Sequence, residues 1–252
     1  MQPSRSRRRG WASGSIIGLA LAACAPVAPP ATVIPWPDGL PVYDHIVIVV
    51  EENKDWADII GNDDTPYIND ILKEEGALFT NSFGLEHHSQ GNYFWLFSGD
   101  NQGVGFDDKV PGPGTPGYPF ETANLGAALI GKGLSFKGYA ESLPTIGATL
   151  ANTVDNTGTS IYARKHVPWI SFANVPNGTT VETSSNLRFA DFPSDYSELP
   201  TVAFVIPNLE NDMHTMYGLP KAGVQQKNAA KGGISDDFII TDVFAGAPLS
   251  VQ

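Results

Sequence analysis

Three short polar runs hold the side chains best suited to chemistry: Glu51-Glu52-Asn53, His87-His88-Ser89-Gln90-Gly91-Asn92 and Asn211-Asp212-Met213-His214. Carboxylates delivered to one place by two strand ends suit a hard cation, which prefers oxygen donors. A serine where a helix begins suits a nucleophile, because the helix dipole and the free backbone N–H groups favour negative charge there. A neighbouring asparagine can donate to a phosphoryl oxygen. Together these groups suit metal-activated attack on a phosphorus or sulfur ester. The same residues also fit plainer roles: Ser89 as a helix cap, Glu51 and Glu52 as solvated loop acids, His87 and His88 as surface residues, Asp212 and His214 as a local hydrogen-bonded pair.

The elements that must position these runs follow from the hydrophobic pattern. His45-Ile-Val-Ile-Val-Val50 is a continuous β-branched run, which predicts a strand buried on both faces of a parallel sheet. Thr201-Val-Ala-Phe-Val-Ile206 predicts a second. The first and third polar runs follow these strands, at the edge where open α/β sheets bind ligands. Thr65-Pro66-Tyr67 opens a helix with Ile68, Ile71 and Leu72 as its stripe and Gly76 as its end. Ala77 to Ser82 reads as a short strand. Tyr93 to Phe97 begins an apolar helix, Asn124 to Lys132 reads as another, and Ser135 to Tyr139 as a strand. His166 to Phe172 reads as a short helix, and Asp100 to Phe120 as a long Gly/Pro-rich loop. The expected fold is α/β, with a mostly parallel sheet flanked by helices.

The chain has 252 residues, 42% hydrophobic and 17% charged, which permits a sizeable core. Its net charge of -12 disfavours a nucleic-acid-binding surface. A single cysteine excludes an internal disulfide and a cysteine-cluster zinc site. Residues 1–23 read as a signal peptide: basic Arg5 to Arg9, apolar Ile16 to Ala23, then Leu21-Ala22-Ala23-Cys24, which resembles a bacterial lipobox with Cys24 as the lipidated residue. A twin-arginine signal at Arg7-Arg8-Arg9 is the alternative. Residues 24–41, with Pro26, Pro29, Pro30, Pro35 and Pro37, read as an extended tether. The expectation is an extracytoplasmic lipoprotein, anchored to the bacterial cell envelope through its N-terminus.

The combined motifs resemble the phosphoesterase family of acid phosphatases and bacterial phospholipases C, in the alkaline phosphatase superfamily. They are the strand ending in Glu52-Asn53, Gly76-Ala-Leu-Phe-Thr-Asn81, His87-His88-Ser89-Gln90-Gly91-Asn92-Tyr93 closing at Ser98-Gly99, and Asn124-Leu125. Tyr139-Ala-Glu-Ser-Leu-Pro144, Arg164-Lys165-His166-Val167-Pro168 and Ile206-Pro207-Asn208-Leu209 continue the pattern, before Asn211-Asp212-Met213-His214. The resemblance implies an alkaline phosphatase-like catalytic domain over residues 42–217. It implies Ser89 as a transiently phosphorylated nucleophile, Asn92 against the phosphate, and Glu52, Asn53 and Asp212 as ligands of a divalent metal ion. His87, His166 and His214 are implied to lie near the active site, with His166 a candidate for protonating the leaving group. Gly91 stands where the family has proline. The family also carries a later strand ending in Asp-Glu. Here Ile239-Ile240-Thr241-Asp242 is similar to that strand, but Val243 and Phe244 follow where acids are expected, so residues 218–252 read as a divergent or truncated tail. The expected function is hydrolysis of a small phosphate ester, nearer an acid phosphatase than a phospholipase C. The alternatives are a degenerate inactive member and a surface lipoprotein that binds phosphate esters without turnover.

Overall fold

The strands are β1 (Ile46–Val49), β2 (Phe136–Ala140), β3 (Asn152–Val154), β4 (Ser160–Ala163), β5 (Asn186–Arg188), β6 (Val202–Ile206) and β7 (Asp242–Ala245). They come from a computed structural model that describes residues 42–52, 54–63, 65–104 and 109–213, and the backbone of 242–245. The signal segment, Cys24, the tether and most of the tail lie outside the described residues.

The main sheet has the order β5-β2-β6-β1-β7. β1, β2, β5 and β6 run parallel, and β7 joins β1 antiparallel. This is the expected mostly parallel α/β fold. β6 lies at the centre, with Val202 beside both Ile46 of β1 and Phe136 of β2, and all five of its residues are buried. The apolar run 201–206 therefore meets its expectation of burial on both faces. β1 is less enclosed: Ile48 is buried and its strand neighbours are half-buried. β3 and β4 form a separate antiparallel pair.

The helices are α1 (Trp56–Ile59), α2 (Lys73–Glu75), α3 (Ser89–Ser98) and α4 (Leu125–Gly131), and a π-helical turn over Tyr67–Leu72 leads into α2. Asn124 caps α4, its Oδ1 accepting from the Ala127 N–H at 2.8 Å. Gly99 ends α3 in the left-handed region, with φ +67°, where a side chain would be strained. In place of a helix over 166–172, residues 164–171 form two 3₁₀ turns, Arg164–His166 and Pro168–Ser171. Proline at the start of the second fits, since its missing N–H is not needed there. Residues 77–82 form a turn and irregular chain, not the expected strand. None of them pairs with a strand of the described sheet. β3, β4 and β5, at three or four residues each, are too short to leave a periodic signal.

The core is built where α3 lies against the sheet. Phe94 and Phe97 meet Phe120, Phe136, Trp169, Phe172 and Phe204 in edge and tilted contacts between 5.3 and 6.4 Å. Each such ring buries large apolar area, and the edge-to-face geometry adds about 0.5–1.5 kcal/mol per pair. The long loop after α3 is tied down by Arg164, whose Nη2 donates to the Pro111 carbonyl and the Tyr118 hydroxyl, each at 3.0 Å. Among the described residues no helix is long and apolar enough to cross a membrane.

Candidate active site

Because β1 and β6 are adjacent and parallel, the chain segments beyond them emerge side by side. The Val50 N–H donates to Val205 O at 3.1 Å, and the Glu52 N–H donates to Asp212 O at 2.8 Å. The β1–β6 register would set Glu52 against Asn208; the turn over residues 208–211 instead brings Asp212 back beside Glu52. Asp212 is held by a tight turn: its N–H donates to Asn208 O, and Asn208 Oδ1 accepts from the N–H groups of Glu210 and Asn211.

α3 delivers the third component. Its entry residue, His88, has φ +76°, rare for a residue with a side chain. Such a turn costs about 1–3 kcal/mol and persists only where the surroundings enforce it. His88 takes the cap position, and the Ser89 hydroxyl donates to Glu52 Oε2 at 3.3 Å. Ser89 thus turns toward the carboxylates.

His166 completes the group. Its Nε2 lies 3.0 Å from Glu52 Oε1, and its Nδ1 lies 3.6 Å from Asp212 Oδ2. Glu52, His166 and Asp212 are all 1% exposed or less, and Glu51 is buried beside them. Buried carboxylates are costly unless their surroundings compensate them, and the His166 ring lies between two of them. Lys54 senses the same charge. Partial burial lowers its pKa, while Asp58 and Asp212 pull it back up. The Tyr93 hydroxyl is pushed well above its usual range, first by burial and then by the charges of Asp212 and Glu51.

Ser89, Glu52, Asp212 and His166 are thus brought together from four separate segments. Asn92 lies one turn along α3 from Ser89 and faces backward. Its Oδ1 accepts from Leu85 N at 3.1 Å and Glu86 N at 2.9 Å, and its Nδ2 donates to Glu86 O. His87 is exposed to solvent. Asn53 and His214 lie outside the described residues. Glu51, Lys54 and Tyr93 belong to the site's surroundings but carry no expected role. Tyr93 was legible, since it sits four residues after Ser89 on one helix face.

The donors present suit a hard cation in kind: Glu52 and Asp212 offer carboxylate oxygens within a buried site. Among the described residues no group of three or more His, Cys, Asp and Glu side chains is arranged to hold a metal ion.

A parallel sheet with acids beyond its central strands, and a serine opening a helix against them, defines an α/β protein with its site at the carboxyl edge of the sheet. Comparison with known sequences makes this specific. The profile of the Phosphoesterase family matches residues 62–230, and the chain belongs to that family. It is 43% identical over 179 residues to a phosphatidylinositol-3-phosphatase of Mycobacterium tuberculosis, covering 70% of this chain and 53% of that protein. It is 30% identical over 203 residues to a probable acid phosphatase of Kluyveromyces lactis, covering 79% and 45%. A phosphate-repressible acid phosphatase of Penicillium chrysogenum is 28% identical over 174 residues, covering 68% and 39%. The chain spans about half the length, or less, of these relatives. No solved structure matches.

Proposed function

We propose that this chain hydrolyses phosphate esters through a phosphoserine intermediate on Ser89. The observation that carries the reading is the Ser89 hydroxyl donating to the buried Glu52 carboxylate at 3.3 Å, with His166 at 3.0 Å on the other oxygen of that carboxylate. As the Ser89 oxygen bonds to phosphorus, its proton passes to Glu52, the bond to the leaving group breaks, and the departing alkoxide takes a proton from solvent. Water then attacks phosphorus and gives up a proton to solvent, the bond to Ser89 breaks, and Glu52 returns its proton to the Ser89 oxygen. His166 has both nitrogens turned to carboxylates, so its part is to orient Glu52. The α3 dipole favours the phosphate charge at Ser89. Glu52 and Asp212, with Asn53, are the residues that would hold a divalent metal ion, which when bound would neutralise phosphate charge and lower the hydroxyl pKa.

The acid phosphatases among the relatives support a small soluble ester as substrate. The relative named for phosphatidylinositol-3-phosphate supports a second substrate reading, the same chemistry on a phosphorylated lipid headgroup. The N-terminal signal and Cys24 support an envelope lipoprotein, anchored to the membrane and acting outside the cytoplasm. Metabolic labelling with an alkynyl fatty acid, lost in Cys24→Ala, tests the anchor.

The decisive assay is hydrolysis of an aryl phosphate and of a phosphoinositide by the full chain. Turnover should fall to background in Ser89→Ala with an unchanged melting curve, and a chelator should remove it until a divalent ion is restored. A Ser89→Ala protein that retains the parent rate refutes the nucleophile. Tight binding of the ester without release of alcohol would instead identify a binding protein. Failure both to bind and to turn over, with rapid proteolysis, would identify a degenerate member.

A further inference from the structure

Asp212 is placed by a turn, and the turn is held from outside the site. β2 and β6 are paired parallel, with Ala140 opposite Ile206, so the residues that follow them leave the sheet together. The Glu141 N–H continues the ladder by donating to Ile206 O at 2.9 Å. The Glu141 carboxylate then accepts from Asn208 N at 3.0 Å and from Asn211 Nδ2 at 2.8 Å on each oxygen. Ser142 adds a further grip, its hydroxyl accepting from Asn208 Nδ2 at 3.0 Å. Ser142 has φ +62°, a conformation that costs energy in a residue with a side chain and that surrounding contacts must enforce.

We propose that Glu141 is a positioning residue: it fixes the Asn208–Asn211 turn and so sets the reach of Asp212 to His166 and to the Glu52 backbone. The proposal rests on the reading of this site as a phosphate-ester hydrolase. Glu141 touches neither Ser89, Glu52 nor His166 through any described hydrogen bond, so its effect must pass through Asp212. The chain of contacts is continuous. Glu141 holds Asn208 and Asn211, Asn208 O accepts the Asp212 N–H at 2.8 Å, and Asp212 O accepts the Glu52 N–H at 2.8 Å. Hydrogen bonds to an ionised acceptor are about twice as strong as neutral ones, so one carboxylate can fix this turn. Loss of these acceptors would leave the turn free to shift, and a displacement of about 1 Å at a catalytic group can cost about a hundredfold in rate.

The test uses the full chain and two readouts. The imidazole nitrogens of His166 are followed by long-range proton–nitrogen NMR at one pH in the parent, Glu141→Leu, Glu141→Gln, Asn211→Ala and Asp212→Asn. Hydrolysis of an aryl phosphate gives kcat and KM for each. Glu141→Leu and Asn211→Ala should shift the His166 resonances in the direction given by Asp212→Asn. They should lower kcat by about thirty- to a hundredfold with KM within about threefold. Glu141→Gln keeps one oxygen able to accept from Asn208 and Asn211 and should recover most of the loss. Glu141→Leu combined with Asp212→Asn should be no slower than Asp212→Asn alone, as expected for two residues acting through one contact. Should Glu141→Leu not fold, Asn211→Ala and Glu141→Gln decide the matter. Unshifted His166 resonances in the folded variants, or losses that multiply in the double variant, overturn the proposal. If the parent shows no turnover, the hydrolase reading fails separately, and the resonances still decide whether Glu141 governs Asp212.

Discussion

The phenol ring of Tyr93 lies flat against the imidazole of His166, with ring centres 4.9 Å apart and planes within 13°. Both residues are almost wholly buried, and among the described residues the Tyr93 hydroxyl has no hydrogen-bond partner. The ring, not the hydroxyl, is therefore what holds His166 between its carboxylates. An unpaired buried hydroxyl costs about 1–3 kcal/mol. Tyr93→Phe should melt at the parent temperature or a few degrees higher, whereas Tyr93→Ala should lose about 3–5 kcal/mol through the cavity it leaves. Thermal and denaturant melts of both variants check this. A clear fall in Tm for Tyr93→Phe would mean that the hydroxyl is bonded in solution.

Gly138 should be the least replaceable residue of β2. A Cβ there would sit 2.1 Å from Trp169 Cζ2 and 2.3 Å from Cε2. Trp169 cannot step aside, because its Nε1 donates to Asn186 Oδ1 at 3.0 Å and its ring is wedged among Phe97, Phe136 and Phe204. Overpacking of this kind costs about 1–3 kcal/mol and sometimes more. Gly138→Ala should destabilise by at least about 3 kcal/mol in urea unfolding, and adding Trp169→Leu should recover part of the loss. Equal stability of Gly138→Ala and parent would refute the packing described.

Asn92 should matter to stability as well as to rate. Its amide braces the Leu85–Glu86 backbone just before the strained His88 turn. Asn92→Ala should lose about 1–2 kcal/mol, since the partly exposed N–H groups can turn to water. Asn92→Asp keeps both acceptor bonds and should lose less. If Asn92→Ala lowers activity without moving Tm, the amide works on the substrate and not on the turn.

The protein should weaken in alkali through its buried phenols. Burial, and then the charge of Asp191, push Tyr139 from 10.0 up to about 12. Burial also raises Tyr162, against the pull of Arg164. The folded state therefore keeps these protons when the unfolded chain has lost them. The Tyr139 contribution is fully present below about pH 10 and is lost as pH rises through about 12, and that of Tyr162 is lost at higher pH still. Unfolding free energy should fall over that window, and Tyr139→Phe should fall less steeply. Identical pH profiles for the two proteins would contradict the raised Tyr139 value.

Much of this was legible because the relevant signals are local. The apolar run 201–206 announced a strand enclosed on both faces, and β6 is one. Asn124 announced a helix start, and its side chain caps α4. Ala77 to Ser82 misled, because a short apolar run makes a strand only where another strand pairs with it, and none does among the described residues. The amide of Asn92, implied by the resemblance to lie against a phosphate, braces the Leu85–Glu86 backbone, a contact that residue type and spacing do not announce.

Amino-acid order alone determined the alternation of buried strands and helices, and hence that Glu52, Ser89 and Asp212 would each follow or open an element. Those preferences act between residues a few positions apart. Tertiary structure decided that Glu52 meets a hydroxyl 37 positions away, and that one imidazole lies between Glu52 and Asp212. Pairing of β1 with β6, and packing of α3 over them, fixed those distances, because closing such long loops is governed by the whole core and not by any local pattern.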